Sequence, residues 1–515
     1  MEAAAADVTR QAPGRPDHDP PGLAAGIRGG YLNLAVTWLV QALLVPLLLA
    51  RLGRDAYGLY ATLMSMVGYF ALLTFGSALT VPRYVADHAA RDERDALSAF
   101  VSTYLALHLA IAALGLLAGL ALTPLLRAHL EVPAALSPVV APAWRLAVGG
   151  WALGLAAGLF QSFLVGLGDV ALANLLNSIR TVLMLAVAFA VLRAGAGLAE
   201  LLAGLLVASL AGSALAFVIL HARHPEIRIA LGLARRTTLR ATAQPAALFF
   251  LMQIAALVVT GTDNVIISVF LGVGQVAPYA VAFQLWSLAL AVLWAGTDAL
   301  LPFFTRWDVR DEQDRLRHAY FAATRYSFAG AALAAIVLWA LGDDIVRLWV
   351  GGALQVPPGV LATFAAMLLT AAPIHTAALV LTGLGRHRPA ALGGAAEAAL
   401  NLALSLALVR PLGVLGVALG TLCSGALTNA WVAPRAAARA VGASISSYAR
   451  RSLLPALVPA VAAGALAAVL RSGLPPSPGV LLARLGAIAL IFGATFWLVS
   501  LDAAERREVV GLLRR

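Results

Sequence analysis

The stretch Arg91–Leu97, RDERDAL, returns 219 residues later as Arg310–Leu316, RDEQDRL, with five identities in seven positions and no gap. Further pairs are in register at shifts of 219 or 217: Leu52-Gly53 with Leu271-Gly272, Tyr60-Ala61 with Tyr279-Ala280, Gly166–Gly168 with Gly383–Gly385, and Arg193 with Arg410. Self-similarity at a fixed period is typical of a repeated architecture. The sequence therefore predicts two copies of one structural unit.

The composition excludes an ordinary soluble enzyme. Of the 515 residues, 61% are hydrophobic and 12% charged, and the mean hydropathy is +0.88, whereas soluble domains are roughly 45–50% apolar and about 25% charged. A helix needs about 20 apolar residues to cross a membrane. Fourteen runs are that long or nearly so, at 29–50, 57–80, 98–122, 146–167, 171–192, 200–220, 245–270, 278–303, 326–342, 358–383, 391–409, 414–434, 453–470 and 479–501. We predict an all-α polytopic membrane protein with about 14 transmembrane helices.

The repeat divides these spans into two lobes. Each copy contains six spans, an even number, so both copies enter the membrane in the same direction and are related by an axis along the membrane normal. The predicted organisation is a disordered cytoplasmic leader at 1–27, an N-lobe at 28–222, a cytoplasmic linker at 223–243, a C-lobe at 244–436, and spans 13 and 14 with a cytoplasmic tail at 437–515.

The net charge of +11 is an orientation signal. All 36 basic residues are arginine, and with both termini in the cytoplasm 26 of them lie on the cytoplasmic side and nine outside, as the positive-inside rule requires. A nucleic-acid binder would concentrate its charge on one polar face, so no nucleic-acid partner is expected. Cys423 is the single cysteine, which excludes an intrachain disulfide and a cysteine metal framework.

Three motifs carry a resemblance to a known family. Leu52–Tyr60 reads LGRDAYGLY, Asp263–Gly272 reads DNVIISVFLG with VAPYAVA at 276–282, and Leu348–Gly351 reads LWVG. Over roughly residues 25–440 the chain resembles the polysaccharide-biosynthesis membrane proteins, flippases of O-antigen and exopolysaccharide units in the MATE-like superfamily of multidrug and oligosaccharidyl-lipid exporters.

The resemblance implies alternating access. The expected substrate is an undecaprenyl-pyrophosphate-linked sugar repeat unit, carried from the cytoplasmic to the periplasmic face of the bacterial inner membrane for polysaccharide or lipopolysaccharide biosynthesis. Polysaccharide polymerase and assembly proteins are the partners that it suggests besides the lipid bilayer. Spans 1, 2, 7 and 8 would line the central cavity.

Polar residues within spans 1, 7 and 8 are the candidates for that cavity. They fall on helical stripes: Asn33, Thr37 and Gln41; Gln253, Thr260 and Asn264; Gln284 and Asp298. Polar groups in a membrane face either a cavity or another helix, and both interpretations stay open. On span 11, Glu397, Asn401 and Ser405 share one face, which we interpret as structural.

Asp263 is the candidate for ion coupling. A carboxylate inside a span could carry a proton or bind Na⁺, and the alternative is a structural pairing with a neighbouring helix. Phosphate recognition would fall to arginines at the cytoplasmic ends of spans, since guanidinium pairs bidentately with phosphate. The candidates are Arg28, Arg83, Arg306 and Arg325; the alternative is that these side chains snorkel to the membrane surface.

Two other functions compete with the flippase. One is a cation-coupled multidrug exporter of the same superfamily, and the other is a membrane glycosyltransferase or polymerase. Against the enzyme, the chain has no Asp-x-Asp motif, phosphate loop or His/Cys cluster, and His108 and His375 are isolated in apolar runs. We predict a transporter, not an enzyme, with no cofactor beyond coupling H⁺ or Na⁺. The sugar unit, the coupling ion, the oligomeric state and the role of spans 13 and 14 are left open.

Overall fold

The computed structural model describes residues 23–74, 77–242, 246–352, 354–471, 475, 477–501, 503 and 505–507. Most of the predicted leader lies outside them. Seventeen α-helices are present in this part of the chain, and no strand. They are α1 (Leu23–Gly68), α2 (Ser77–Ala90), α3 (Arg94–His129), α4 (Ser137–Gly166), α5 (Val170–Arg193), α6 (Leu198–Arg223), α7 (Arg236–Thr242), α8 (Ala246–Phe270), α9 (Val273–Asp298), α10 (Leu301–Val309), α11 (Gln313–Val350), α12 (Val360–Gly383), α13 (Arg388–Leu427), α14 (Asn429–Ala440), α15 (Ile445–Tyr448), α16 (Leu457–Arg471) and α17 (Pro478–Thr495).

The protein is a multi-pass membrane protein. Within the described ranges, 12 helical stretches are long and apolar enough to cross a membrane. Two of them, Arg28–Thr74 with 47 residues and the continuous stretch Arg388–Ala440 with 53, would be about 70–80 Å long if straight, more than twice the ~30 Å hydrocarbon layer. Each contains a glycine with non-helical backbone angles, Gly53 or Gly413, and each covers two predicted spans. The exact number of 14 crossings stays a prediction.

The internal repeat is visible in the backbone. Positive φ angles occur in equivalent pairs: Gly53 (80°) with Gly272 (87°), Asp92 (54°) with Asp311 (54°), and Gly168 (90°) with Gly385 (67°). The aspartate pair is the most telling, because positive φ is uncommon outside glycine and these are the two non-glycine cases among the described residues. The two lobes therefore repeat the same turns as well as the same helices.

Helix ends repeat at the same shifts. The helices α2 and α10 end 219 residues apart, α3 and α11 begin 219 apart, and α4 and α12 end 217 apart. The repeat also defines the two ends of the molecule. We call the end that carries Gly53 and Gly272 the glycine face, and the opposite end, with the turns at 91–93 and 310–312, the loop face.

Apolar packing joins the lobes near the glycine face. The largest buried cluster draws on both lobes, with Tyr57 and Leu59 from one and Val273 and Tyr279 from the other. Toward the loop face each lobe has a cluster of its own: Phe100, Tyr104 and Phe163 belong to the N-lobe, and Tyr320, Phe321 and Tyr448 to the C-lobe side. The buried packing of the two lobes is thus continuous near the glycine face and separate toward the loop face.

The segment between the lobes lies along α3. Its backbone amides donate to hydroxyls on one face of that helix: Arg228 N to Ser98 Oγ (3.1 Å), Ala230 N to Ser102 Oγ (3.1 Å) and Arg235 N to Thr103 Oγ1 (2.9 Å). Ile227 is buried in the N-lobe's own cluster. The segment from 227 to 235 is therefore part of the N-lobe.

The two C-terminal helices pack on α11. Ala332 of α11, Ala463 of α16 and Ile488 of α17 belong to one buried apolar cluster. Arg484 Nη1 lies 3.0 Å from Asp344 Oδ2, and the two side chains are 7% and 21% exposed. An ion pair this dry fixes α17 against the end of α11, because separating it would leave a charge in the apolar layer.

Arg484→Met is expected to lower the free energy of unfolding by up to about 3 kcal/mol, since it leaves Asp344 unpaired and partly buried. Thermal unfolding of the purified protein in detergent measures this effect. The double variant Arg484→Met/Asp344→Leu should recover most of the loss, because it removes both charges. Equal instability of the single and double variants would show that the pair itself contributes nothing.

Candidate functional site

The lobes meet at the glycine face in a tight contact that we call the clasp: Arg54, Gly58, Glu131 and Val273–Gln275. Arg54 Nε donates to the Gly274 carbonyl (2.7 Å) and its Nη2 to Gln275 Oε1 (3.0 Å). Val273 N donates to the Glu131 carbonyl (3.0 Å). A methyl group on Gly58 would lie 1.8 Å from the Val273 carbonyl oxygen, so only glycine permits this approach. The clasp closes the glycine face.

Equivalent residues of the two repeats touch each other in the clasp. Under the 219 shift Asp55 corresponds to Gly274, and a Cβ on Gly274 would lie 2.2 Å from Asp55 Oδ1. Gly58 corresponds to Ala277, and a Cβ on Gly58 would lie 3.5 Å from Ala277 N. Self-contact of equivalent positions is what a twofold axis produces. The pseudo-twofold axis therefore passes through the clasp and relates two parallel repeats.

A polar seam continues from the clasp between α8 and the N-lobe residues 65–71, which form the end of α1 and the 3₁₀ turn after it. Asn264 Nδ2 donates to Ser65 Oγ (2.8 Å), Tyr69 OH to Thr262 Oγ1 (2.8 Å), and Gln253 Nε2 to the Ala71 carbonyl (3.2 Å). Two of the predicted cavity residues of span 7, Gln253 and Asn264, thus bind the other lobe. Thr260 does not belong to the seam and faces a cavity within the C-lobe.

On span 1, too, the residues of the predicted stripe have different surroundings in the structure. Asn33 Oδ1 accepts from Asn177 Nδ2 (2.9 Å) and Ser178 Oγ (3.2 Å), so it holds α1 against α5 inside the N-lobe. Thr37 Oγ1 donates to the backbone carbonyl of Asn33 (2.8 Å). Gln41 is exposed. The structure therefore leaves Gln41, more than Asn33, available to a substrate.

Gln284 lines a cavity of about 460 Å³ that lies between α1, α9, α11 and α17. Trp38, Trp349 and Leu481 also line this cavity. Trp349, from the LWVG motif, donates its Nε1 proton to the Ala42 carbonyl (2.7 Å) and so ties α11 to α1. Gln284 is not in the cavity that holds Thr260.

The cavity within the C-lobe has a volume of about 280 Å³ and is mainly apolar. Its polar residues include Thr260, Thr370, His375, Glu397, Thr421 and Asn429. At its edge His375 Nε2 lies 2.9 Å from Asp298 Oδ1, and the imidazole stacks on Trp294 with ring centroids 4.4 Å apart. His375 is isolated in its apolar run of sequence, but in the fold its acidic partner comes from α9, 77 residues earlier.

Asp263 lies at the centre of a buried cluster from three helices, α8, α9 and α13, and it is 2% exposed. Its Oδ2 accepts hydrogen bonds from Tyr279 OH and from Thr421 Oγ1 (2.8 Å). Asn401 Nδ2 donates to Thr421 Oγ1 (2.8 Å), and Ser405 Oγ lies 3.5 Å from the Val417 carbonyl. We call this set, Asp263, Tyr279, Asn401, Ser405 and Thr421, the Asp263 centre.

Two oxygens of the centre have no partner. Asp263 Oδ1 and Asn401 Oδ1 are both buried and accept no hydrogen bond within the described part of the chain. Buried acceptors are normally satisfied, and a carboxylate and an amide oxygen are ligands that hard cations prefer. Asp263 Oδ1 is therefore a buried acceptor that a bound Na⁺ or H⁺ would satisfy.

The four arginine candidates do not form one cluster. Arg28, Arg83 and Arg306 are exposed, and no ion pair holds them among the described residues. Arg306 lies 5.7 Å over the ring of Phe303. Arg325 forms an ion pair with Glu505 of the C-terminal segment.

Sequence reasoning missed the partners of Asp263. Tyr279 is part of the YAVA motif, and Asn401 and Ser405 share a face of span 11, but neither signal connects them with a carboxylate on span 7. Thr421 is 158 residues from Asp263. Only the packing of α8, α9 and α13 brings these residues together.

Comparison with known proteins agrees with this architecture. The chain is 26% identical over 411 residues to the uncharacterized membrane protein EpsK of Bacillus subtilis (strain 168), covering 78% of this chain and 80% of that protein. An inward-facing multidrug resistance MATE family transporter of the MOP superfamily has a similar fold, with a TM-score of 0.69 at 15% identity over 82% of this chain and 99% of that one. The lipid II flippase MurJ in an inward closed conformation gives 0.69 at 12% identity, over 92% and 99%.

The fold is thus that of the MATE and MurJ transporters, and the predicted fold class is confirmed. A family model described as polysaccharide biosynthesis protein matches residues 31–307, more than half of the chain. The match includes the clasp, the polar seam and Asp263. The chain belongs to the polysaccharide biosynthesis protein family.

Proposed function

We propose that this protein is an alternating-access flippase that moves undecaprenyl-pyrophosphate-linked sugar repeat units across the bacterial inner membrane for polysaccharide or lipopolysaccharide biosynthesis. The observation that carries the proposal is the clasp. Two pseudo-symmetric lobes are sealed at one face by a backbone contact at their symmetry axis and pack separately at the other. Breaking the clasp while closing the loop face would expose a shared cavity to the opposite side. No bond of the substrate is made or broken.

The proposed orientation places the loop face and both termini in the cytoplasm. The arginine distribution supports it, since 26 arginines fall on that side and nine on the other. Arg51 and Arg54 are then periplasmic, and the clasp closes the periplasmic side. In this orientation the structure is ready to accept substrate from the cytoplasm.

The Asp263 centre is proposed as the coupling site. Its unpaired oxygens belong to α8 and α13, and Tyr279 belongs to α9, so one bound cation fixes three helices relative to one another. The seam partners Thr262 and Asn264 flank Asp263 in the sequence and contact the N-lobe. Occupancy of the centre therefore biases the helix that seals the two lobes, which is the linkage that a coupled transporter needs.

The arginines Arg28, Arg83 and Arg306 are proposed to attract the pyrophosphate. All three are exposed, and guanidinium groups recognise phosphate oxygens with two parallel hydrogen bonds. Gln41 and the remaining exposed part of α1 would meet the sugar. Polymerase and assembly proteins that use the exported units are the proposed partners.

The proposal is tested by reconstituting the purified protein in liposomes that carry a pyrophosphate-linked oligosaccharide with a labelled sugar. Wild type should expose the label to a membrane-impermeant enzyme at the opposite face, and empty liposomes should not. The lipid monophosphate without sugar is the matched control substrate. Failure to move the oligosaccharide under imposed Na⁺ and H⁺ gradients would contradict the proposal.

The C-lobe cavity favours one alternative, a cation-coupled multidrug exporter. Glu397 lies in an apolar cavity beside Trp286 and Trp294, and its Oε2 accepts from Asn429 Nδ2 (3.1 Å). A carboxylate with aromatic neighbours suits a lipophilic cation. Exchange of such a drug for Na⁺ or H⁺ in the same liposomes, without movement of the oligosaccharide, would favour the exporter.

A further inference from the structure

We propose that a second pocket, on the loop face between α11 and the C-terminal segments, binds the phosphate of an anionic ligand, and that Glu505 competes with this phosphate for Arg325. We call it the C-terminal pocket. It has a volume of about 490 Å³, and its charged and polar lining consists of Asp314, Arg317, His318, Arg325, Arg451 and Glu505. It lies outside the clasp, the seam and the Asp263 centre, so the inference goes beyond the proposed transport function.

The pocket has more positive than negative charge. Arg317 forms an ion pair with Asp314, and Arg325 with Glu505. Arg451 is exposed and has no carboxylate within 4.0 Å in the described part of the chain. Three guanidinium groups thus face two carboxylates, which leaves one cation for an incoming anion.

Arg325 is the buried end of this pocket. Its side chain is 15% exposed, and its guanidinium carbon lies 5.2 Å over the ring of Tyr326. Although Nη2 reaches Glu505, Nε is buried with no hydrogen-bond partner among the described residues. Guanidinium has five donors, and the oxygens of a phosphate can use two of them at once. A phosphate would satisfy Arg325 better than Glu505 does.

Unusual backbone borders the pocket on two sides. The helical segments Ala449–Leu453 and Phe496–Ser500 are π-helical, the former carrying Arg451 and the latter preceding Glu505. Ser500 Oγ donates to the carbonyl of Pro455 (2.5 Å), two residues beyond the first of these segments. Because π-helical turns are rare and occur frequently at functional sites, their convergence on one pocket supports a binding role.

The ligand chemistry follows from the lining. Phe321, Ala322 and Pro455 add an apolar wall beside the arginines. The pocket lies at the loop-face end of α11, and basic pockets between helices on the cytoplasmic side of membrane proteins bind lipid headgroups. A phosphate on an anionic phospholipid fits both features. Inorganic phosphate or pyrophosphate shares the charged part of that chemistry.

The experiment uses the full chain in nanodiscs of phosphatidylcholine, with or without phosphatidylglycerol. Lipid retained by the protein is counted by native mass spectrometry, and thermal unfolding is followed in parallel. Further samples receive inorganic phosphate or pyrophosphate in phosphatidylcholine alone. The variants are Arg451→Gln, Glu505→Gln and, as matched control, Arg450→Gln, which removes the same charge from the neighbouring exposed position that does not line the pocket.

Arg451→Gln should weaken phosphatidylglycerol retention about tenfold, the effect of losing one charge-assisted hydrogen bond. Arg450→Gln should leave it within about twofold, and Glu505→Gln should strengthen it. Stabilisation by free phosphate or pyrophosphate, lost in Arg451→Gln, would identify a soluble anion instead of a lipid. Equal weakening by the two arginine variants, weaker binding in Glu505→Gln, or no stabilisation of wild type by any of these anions would overturn the proposal.

Discussion

Gly58→Ala is expected to reduce transport by about 5- to 150-fold while the protein still folds and inserts. The added methyl would lie 1.8 Å from the Val273 carbonyl oxygen, so the clasp cannot close without separating the lobes. Overpacking of this kind costs about 1–3 kcal/mol. A cost of this size lowers the equilibrium population of the clasped state about 5- to 150-fold. Initial rates of oligosaccharide movement in liposomes give the size of the effect.

The matched control is Gly68→Ala. Gly68 lies in the same helix, and a Cβ there meets nothing within 4 Å, so the control adds the same methyl and the same helix propensity without a clash. Its rate should equal that of wild type. A cysteine placed at Asp55 should also react faster with a membrane-impermeant thiol reagent in the Gly58→Ala background. Wild-type transport and unchanged labelling in Gly58→Ala would show that the clasp does not take part in the cycle.

Asp263→Asn is expected to abolish ion dependence without destabilising the fold. The remaining carbonyl oxygen of asparagine can accept from Tyr279 and Thr421, and the substitution removes a buried ionisable group. The variant should therefore be at least as thermostable as wild type. Removing the buried countercharge should weaken cation binding on the order of a hundredfold. Transport measured against Na⁺ concentration and against pH tests both statements.

Asp298→Asn is the matched control, because it removes a carboxylate from the same lobe. The Asp298 side chain is 56% exposed and is paired with His375. It should retain ion dependence. If Na⁺ is the coupling ion, Asn401→Ala should also lose the response to Na⁺, and transport should stop when Na⁺ is omitted. If H⁺ is the coupling ion, a pH gradient should suffice without Na⁺. Full ion dependence in Asp263→Asn would remove the Asp263 centre from the mechanism.

Sequence alone was sufficient for the architecture because the relevant signals are local or periodic. Apolar runs of about 20 residues mark membrane helices, and RDERDAL at 91–97 with its copy at 310–316 exposes the repeat. Gly53 and Gly413 leave the helical backbone region, so each marks a kink between two helices that correspond to two predicted spans.

The candidate site could be predicted only in part. Asp263 stands out because an ionised group in an apolar run is expensive, but helical periodicity shows which side chains share a face and not which helix covers that face. Gln253 and Asn264 share a stripe with Thr260, yet they bind the N-lobe and Thr260 faces the C-lobe cavity. For the same reason the pairing of His375 with Asp298 could not be seen in the sequence.

The attachment of residues 227–235 to α3 limits how far the lobes can move apart. With Arg235 held at Thr103, the chain that reaches the first turn of α8 consists of α7 and three more residues. A seven-residue helix is about 10 Å long, and the five Cα–Cα links from Arg235 into α7 and from α7 to Ala246 add at most roughly 19 Å. While α7 stays helical, the start of α8 therefore stays within roughly 30 Å of Arg235. The connection acts as a tether that bounds the distance between α3 and the start of the C-lobe.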